Sequence, residues 1–529
     1  MADRHDDLQV LIEAVPEPRP GKEQLREVVG RHDAVVSFLD GPSADRLQIS
    51  EPDILAREPG ENAPFQATVF DPASNRAVRV SGRLAAGAAG GPPGIADLEV
   101  EPSAVRPRPG RAELREAARV LRAHPDFAGA DAHIYAPMPP LADIERPDGT
   151  SVRRPTLGVY RPGGSPRHQI VAVDIAAGTV DAAPAGVAAP TDDDCEAHLP
   201  EPVESSTDPA GPGRVRVRVL RGGTEIWNLI VVRPRDSEPQ ALGKGSGVEL
   251  RQVRHRGRLV LSRAHVPILN VLYEEGTTYR DWQNEETPFH ATGTDPAGKG
   301  FRLCTQPPAT ILEAGDDKGN FQGVALHYED GELRIVSEVQ AGWYRYVSDW
   351  RLRDDGVIKP RFGFAGTRNP MTCRPHQHHV YWRLDFDIDG AGAEVVAQRG
   401  KLGTGAAADV PVVREVKRKR GPAARSWRIK DKSTGRGYRI VPGPADGTAD
   451  AFGVADVWLL RYHPGQYDDG VSAVGGTPAE TRVQLDKHLT QESIDGADVV
   501  VWYAAHFLHD EHDPSPHQGH LVGPDLLPL

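Results

Sequence analysis

From Arg214 onward, apolar residues alternate with arginine and other polar residues at a period of two, as in Arg214-Val215-Arg216-Val217-Arg218-Val219, Arg258-Leu259-Val260-Leu261 and Gly331-Glu332-Leu333-Arg334-Ile335-Val336. That period sends successive side chains to opposite faces of an extended strand, and turn signals separate the segments. Few helical periods interrupt them, so residues 214–529 read as a large antiparallel β-sandwich. The first part of the chain differs. A helical period starts near Gly21 and runs past Val29, and strand-like Ala34-Val35-Val36-Ser37-Phe38 and Ala77-Val78-Arg79-Val80 follow. Arg111 to His124 reads as an amphipathic helix, with strands at Leu157-Gly158-Val159-Tyr160 and Gln169-Ile170-Val171-Ala172-Val173. Two small α+β modules, residues 1–98 and 99–181, therefore precede the mainly-β domain. Residues 182–213 are rich in proline, alanine and acid, bury too little apolar surface to order themselves, and read as a linker.

At 529 residues the chain exceeds what one hydrophobic core supports, in keeping with that division. Its 62 Lys and Arg against 75 Asp and Glu leave a net charge of -13, with a single short basic run from Arg414 to Arg420, which argues against a nucleic-acid partner. The three cysteines, Cys195, Cys304 and Cys373, are too few for a disulfide scaffold and form no CxxC pair. The first residues lack the basic start and apolar core of a signal peptide, and no membrane-length apolar run occurs. These features lead to the expectation of a soluble, cytoplasmic protein with no membrane partner.

The sharpest local chemistry lies in Arg374-Pro375-His376-Gln377-His378-His379-Val380-Tyr381-Trp382. On a strand, His376 and His378 point one way while Gln377 and His379 point the other, so two imidazoles converge. A metal needs at least one more ligand, and the tail offers His506, His509, His512, His517 and His520. The plain alternative is a surface histidine cluster. Three neutral imidazoles with an open fourth position suit copper or zinc, and the pattern leaves that choice open.

The segment His376-Gln377-His378, followed by Arg383-Leu384-Asp385-Phe386-Asp387-Ile388-Asp389-Gly390, resembles the copper-binding strand of the copper amine oxidases, the topaquinone enzymes. The tail Asp498-Val499-Val500-Val501-Trp502-Tyr503 is similar to the family strand that ends in the third copper histidine, which by its offset from the tryptophan falls on His509. Gly342-Trp343-Tyr344-Arg345-Tyr346-Val347-Ser348-Asp349-Trp350, with Asp355 to Arg361 after it, resembles the segment bearing the cofactor-forming tyrosine. Tyr344 matches that position, and Tyr346 is the neighbouring alternative. Leu259-Val260-Leu261-Ser262 and Trp282-Gln283-Asn284 extend the resemblance, which covers roughly Arg214 to the C-terminus. The two N-terminal modules fit the family's small domains in size and order.

The resemblance implies copper on His376, His378 and His509, topaquinone made from Tyr344, and a homodimer. It also implies calcium on Asp385, Asp387 and Asp498 with main-chain oxygens of Phe386 and Val499, a set of hard oxygens that suits such a cation; the alternative is a solvated acidic hairpin. The implied reaction is oxidative deamination of a small-molecule primary amine to an aldehyde by O2, releasing ammonia and hydrogen peroxide, with a carboxylate stripping the α-proton. Several positions depart from the family pattern. Trp343 and Arg345 flank Tyr344 where the family has asparagine and an acid. Counting forward from Trp282 puts the family's catalytic aspartate near Thr287, which leaves Glu285 and Glu286 as the substitutes, against the alternative of solvent-facing charges on a turn. The path from Tyr344 to His376 is short, as if a hairpin near Gly366-Thr367-Arg368-Asn369-Pro370 had been trimmed. Cys304 stands where the family often has half a disulfide, and the partner position near His327 is Ala325, which implies a free thiol. Three readings follow: an amine oxidase with a quinone at Tyr344, a copper enzyme of the same fold that performs another O2-dependent oxidation without topaquinone, and a non-catalytic metal-binding homologue.

Overall fold

The computed structural model describes residues 8–16, 22–42, 44–50, 52–55, 62–85, 94–128, 132–192, 210–316, 318–366, 372, 374–392, 394–401, 407–420, 425–509 and 520–529. The alternating half of the chain forms two large sheets. The first runs in the order Leu8–Ala14, Arg214–Arg221, Thr224–Val232, Glu249–His255, Arg258–Tyr273, His376–Phe386, Val499–His509, Val457–Arg461, Val416–Arg418. The second contains, among others, Val324–Glu329, Glu332–Ala341, Tyr344–Arg353, Ile358–Gly366, Asp525–Pro528, Gly437–Val441 and Ser426–Asp431 in that order. Pairing is antiparallel throughout the described strands, except between Phe301–Cys304 and Val324–Glu329.

The period of two explains the sandwich. Val215, Val217 and Val219 are buried in one core, while Arg216 donates to Asn228 at 2.9 Å and Arg218 to Glu225 at 2.9 Å on the opposite face. Trp227, Leu250, Leu384, Phe386 and Val501 of the first sheet share that core with Leu333, Ile335, Trp350, Leu352, Trp427 and Ile440 of the second. Each such side chain contributes about 1.5–3 kcal/mol by leaving water. The interior between the sheets is therefore dry, and the polar groups that function requires have to be inserted into it.

Both N-terminal modules are α+β units. In the first, helices Lys22–Arg31 and Asp33–Phe38 bury Leu25, Val29 and Val35 against Phe65, Val69 and Val80 of a five-stranded sheet. In the second, helix Arg111–Ala123 buries Ala117 and Leu121 on Leu157, Val159, Val171 and Val173 of a four-stranded sheet. Two expectations are corrected. Ala34 to Phe38 is helical rather than a strand: His32 Nδ1 accepts from the Ala34 amide at 3.3 Å, and a helical turn carries Val35 and Leu39 into the core together. The opening segment does not belong to the first module either. Leu8–Ala14 pairs with Arg214–Arg221 from Leu8↔Arg221 to Ala14↔Val215, because its alternation turns Ile12 into the sandwich core. Of the expected linker, residues 193–209 lie outside the described residues, and Thr191 is bridged to His168 of the second module.

The modules touch the sandwich at defined points. The Asp53 carboxylate accepts from the amides of Gln240 at 2.7 Å and Ala241 at 2.9 Å. The turn between Ala341 and Tyr344 has Gly342 at φ 56°, and a Cβ there would stand 2.7 Å from Met138 of the second module, so glycine is required both for the turn and for the close approach. Removing residues 1–16 would uncover Arg214–Arg221 as an edge strand, which is a template for pairing with another chain. The expected outcome is concentration-dependent association by light scattering, with the metal content of the shortened protein unchanged.

Candidate metal centre

Two central strands of the first sheet build the centre. His376–Phe386 and Val499–His509 pair antiparallel with His376 directly opposite His509 and His378 opposite Phe507. With side chains alternating, His376, His378 and His509 share one face. All three are buried, and one ligating nitrogen from each lies within 4.8 Å of the others. His376 Nε2 is 3.1 Å from His509 Nδ1. His376 Nδ1 faces the Arg374 carbonyl at 2.6 Å, so that nitrogen carries the proton and Nε2 is left as the donor toward the centre. Phe364 stacks on the His378 ring at 4.0 Å between centroids and meets His509 edge-on, and Phe507 stacks on both Phe364 and His378. Three imidazoles held by aromatic packing, one with its tautomer set by a carbonyl, form a donor set that fits copper.

Tyr344 opens the strand that follows the Gly342 turn, and its hydroxyl lies 3.1 Å from His376 Nε2. It also hydrogen-bonds directly to the Tyr273 hydroxyl. Tyr346, two residues on and therefore on the same face, stacks on Tyr344 at 5.5 Å and donates to the Asp281 carboxylate. All of these groups are fully buried or nearly so. Burial pushes the three phenols well above their ordinary range. Asp281 is pushed up to about 7 by burial, against the opposing effects of the Tyr346 hydrogen bond and of Lys244. Lys244 is pushed down to about 7, again by burial first. A phenol in such surroundings ionises only if a positive charge is placed beside it, and a metal ion held by His376, His378 and His509 would provide one.

Glu285 and Glu286 occupy other environments. Glu286 is buried in a two-pronged ion pair with Arg233, whose Nε lies 2.8 Å from Oε1. Glu285 pairs with Arg108 at 3.0 Å. Both carboxylates are held by arginines, and the acid delivered to the tyrosine cluster is Asp281. Sequence reasoning missed it because the count ran forward from Trp282, whereas Asp281 is the residue immediately before that tryptophan. Of the two, Glu286 is fully enclosed and Glu285 is partly exposed, so a solvent-facing charge is an option for Glu285 alone.

The remaining candidates fall into place as follows. Asp385, Asp387 and Asp498 offer carboxylate oxygens within 4.8 Å of one another at the far end of the same strand pair. Buried Glu394 joins them; burial, then Asp387 and Asp498, push its carboxyl up to about 8. His506 stands on the opposite face of the sheet from His509, beside His379. His512 and His517 lie outside the described residues, as do Cys195, Cys373 and the hairpin positions 367–370, while His520 begins the strand His520–Val522. Cys304 is a free, buried thiol in one cluster with Ala325. Trp343 is buried edge-on to Tyr279 and Tyr344 and its side chain is a hydrogen-bonding neighbour of the Tyr344 phenol, while Arg345 donates to the Tyr344 carbonyl at 3.1 Å.

Replacing Glu286 by alanine strands the Arg233 guanidinium in the interior. Loss of one partner of such a pair costs about 3–5 kcal/mol. Denaturant unfolding is expected to show that loss, while any metal bound at His376, His378 and His509 stays at its original level. A wild-type unfolding curve would contradict the structural role assigned to Glu286.

No family model matches the sequence, and no curated protein matches it. Solved structures do. A copper-containing benzylamine oxidase from Hansenula polymorpha superposes with a TM-score of 0.62 at 13% identity, covering 98% of this chain and 97% of that one. The lysyl oxidase of Pichia pastoris superposes with a TM-score of 0.52 at 12% identity, covering 99% of this chain and 85% of that one. Together with the β-sandwich and its position after two α+β modules, these matches show that the chain has the copper amine oxidase fold.

Proposed function

We propose that this chain is a copper-dependent oxidoreductase that converts a small primary amine, O2 and water into an aldehyde, ammonia and hydrogen peroxide. The observation that carries the reading is the Tyr344 hydroxyl 3.1 Å from His376 Nε2, at the edge of the buried His376, His378 and His509 set. When bound on those rings, copper supplies the oxygen chemistry that turns Tyr344 into topaquinone, the carbonyl electrophile for the amine. The protein's own residues do the rest. Tyr273 and His376 hold the oxygen of residue 344 from two sides. Asp281 is the general base: its carboxylate is tuned near neutrality by burial, and the Tyr346 hydroxyl orients it by donating a hydrogen bond. Lys244 is a second proton-holding group in the same electrostatic set. The surrounding aromatic rings exclude water, which strengthens each of these interactions.

One observation favours the second reading, a copper enzyme without a quinone. Tyr344 packs against Tyr346 and Phe364, with Trp343 edge-on beside it, and its hydroxyl is already occupied by Tyr273. In that packing the ring has little freedom to turn toward a substrate. Phenylhydrazine separates the two readings: a coloured adduct on the copper-loaded protein supports the quinone, and copper without an adduct supports direct oxygen chemistry at the metal.

The proposal includes calcium on Asp385, Asp387 and Asp498, supported by the crowding that pushes up the nearby Glu394 carboxyl. It also includes a homodimer and, in keeping with the free Cys304 thiol, a cytoplasmic setting. No described helix is long and apolar enough to cross a membrane.

The deciding assay is oxygen uptake by copper-loaded protein over a panel of primary amines, with peroxide and aldehyde measured together. Uptake without aldehyde would exclude amine oxidation. Asp281→Asn is expected to lower turnover by roughly 10²–10⁴-fold. Because the Asp281 carboxyl is raised to about 7 and acts as its anion, kcat/KM should rise as pH increases through about 7 and lose that limb in the variant. The folded-state pKa is raised, so ionising this group in the interior removes stability between the ordinary carboxylate range and about pH 7. Asp281→Asn should therefore melt higher than the parent at pH 8.

A further inference from the structure

The sheet that carries the His376 face presents a second histidine pair on its other face. His379 lies opposite His506 in the same ladder, and both rings are buried. Their Nδ1 atoms face each other at 2.8 Å. The outer nitrogens face oxygen acceptors. His506 Nε2 lies 3.2 Å from the Ala455 carbonyl and 3.3 Å from Asp456 Oδ1. Those acceptors fix the proton of His506 on Nε2, so its Nδ1 is a lone pair aimed at the partner ring. Asp456 itself is buried and held by the amides of Ala449 and Arg420.

His379 then has two options. If its Nδ1 carries the proton and donates to His506, its Nε2 becomes a buried lone pair with no hydrogen-bond partner among the described residues, facing the Asp450 carboxylate at 3.9 Å. That arrangement sets a lone pair against an anion. If its Nε2 carries the proton, the charge of Asp450 is favourable, but two Nδ1 lone pairs then point at one another and require a cation between them.

We propose that His379 and His506 bind a second transition-metal ion, copper or zinc, through their paired Nδ1 atoms, on the sheet face opposite the His376, His378 and His509 centre. Two ring nitrogens about 2.0–2.1 Å from one ion stand roughly 2.9–3.4 Å apart for cis or tetrahedral angles, so the observed separation needs only a small opening of the rings. His506 presents its other nitrogen to Asp456 and the Ala455 carbonyl, which is the outer-shell arrangement that orients metal-binding histidines. Gly453 contributes by having no side chain: a Cβ there would stand 2.8 Å from both Nδ1 atoms at once. Its carbonyl is anchored by the Tyr381 hydroxyl at 3.1 Å, and Phe452 packs on His379, so this loop is held against the pair. The remaining coordination positions fall to water. The ion would pin the two central strands from the back at the register that aligns the first centre.

The test is metal counting on the full-length protein, loaded separately with Cu(II) and Zn(II) and passed over a chelating resin, with elemental analysis and copper EPR. The wild type is expected to retain a second equivalent with an EPR signal distinct from the first. His506→Ala and, as a milder change that removes no ligand, Gly453→Ala should each lose that equivalent while keeping the first and its spectrum. His376→Ala should do the reverse. Retention of the first equivalent also shows that the variants have folded. A wild type that saturates at one equivalent, or a second equivalent that survives in both His506→Ala and Gly453→Ala, would overturn the proposal. Neither result depends on whether the protein oxidises amines.

Discussion

The ladder between His376–Phe386 and Val499–His509 is the constraint on which the rest of the molecule depends. Its register runs unbroken from His376↔His509 to Phe386↔Val499. One end holds the three-histidine set and the other the Asp385, Asp387 and Asp498 set, while His379 and His506 meet on the reverse face. Because side chains alternate at a period of two, a slip of one residue would send every one of these groups to the wrong face. The apolar positions between them, Val380, Trp382, Leu384 and Phe386 against Val501, Tyr503 and Ala505, lie in the sandwich core and make such a slip prohibitive. Hydrophobic patterning thus sets the position of the polar chemistry.

Burial then decides what those polar groups can do. The tyrosines at 273, 344 and 346, Asp281 and Lys244 are enclosed together, and each is displaced from its ordinary ionisation in the direction that removes charge. The acid set at the far end behaves likewise, with Glu394 raised by burial and by its neighbours. Groups starved of charge in this way are poised to accept a cation or to exchange a proton near neutral pH. Arg233 and Glu286 show the opposite solution, a buried pair that neutralises itself and leaves nothing over for chemistry.

The supporting domains act on the site through short contacts. Gly342 brings the start of the Tyr344 strand against Met138 of the second module, and Tyr279, packed edge-on to Tyr273 and Trp343, donates to the Met138 carbonyl at 3.2 Å. The first module is tied in through Asp53 and the Gln240 segment. At identities of 12–13% to the matched solved structures, the likeness is one of fold, and Trp343 and Arg345 are this chain's own neighbours of Tyr344.

Much of this was legible from residues alone. The period-two alternation announced a sandwich after residue 214, the helical periods announced the two modules, and the spacing of His376 and His378 announced a shared face, because each of these depends only on local geometry. The choice of His509 came from resemblance to the copper amine oxidases, since spacing left five histidines open. Local patterns failed where the answer lay in another part of the chain. Leu8–Ala14 joins a sheet whose next strand starts at residue 214, and Asp281 meets Tyr346 across the core. The His379 and His506 pairing is likewise a product of strand register. Ion pairs, pKa displacement and the convergence of distant side chains are fixed by pairing and packing between segments far apart in sequence, so only the tertiary structure decided which acid, which phenols and which imidazoles stand together.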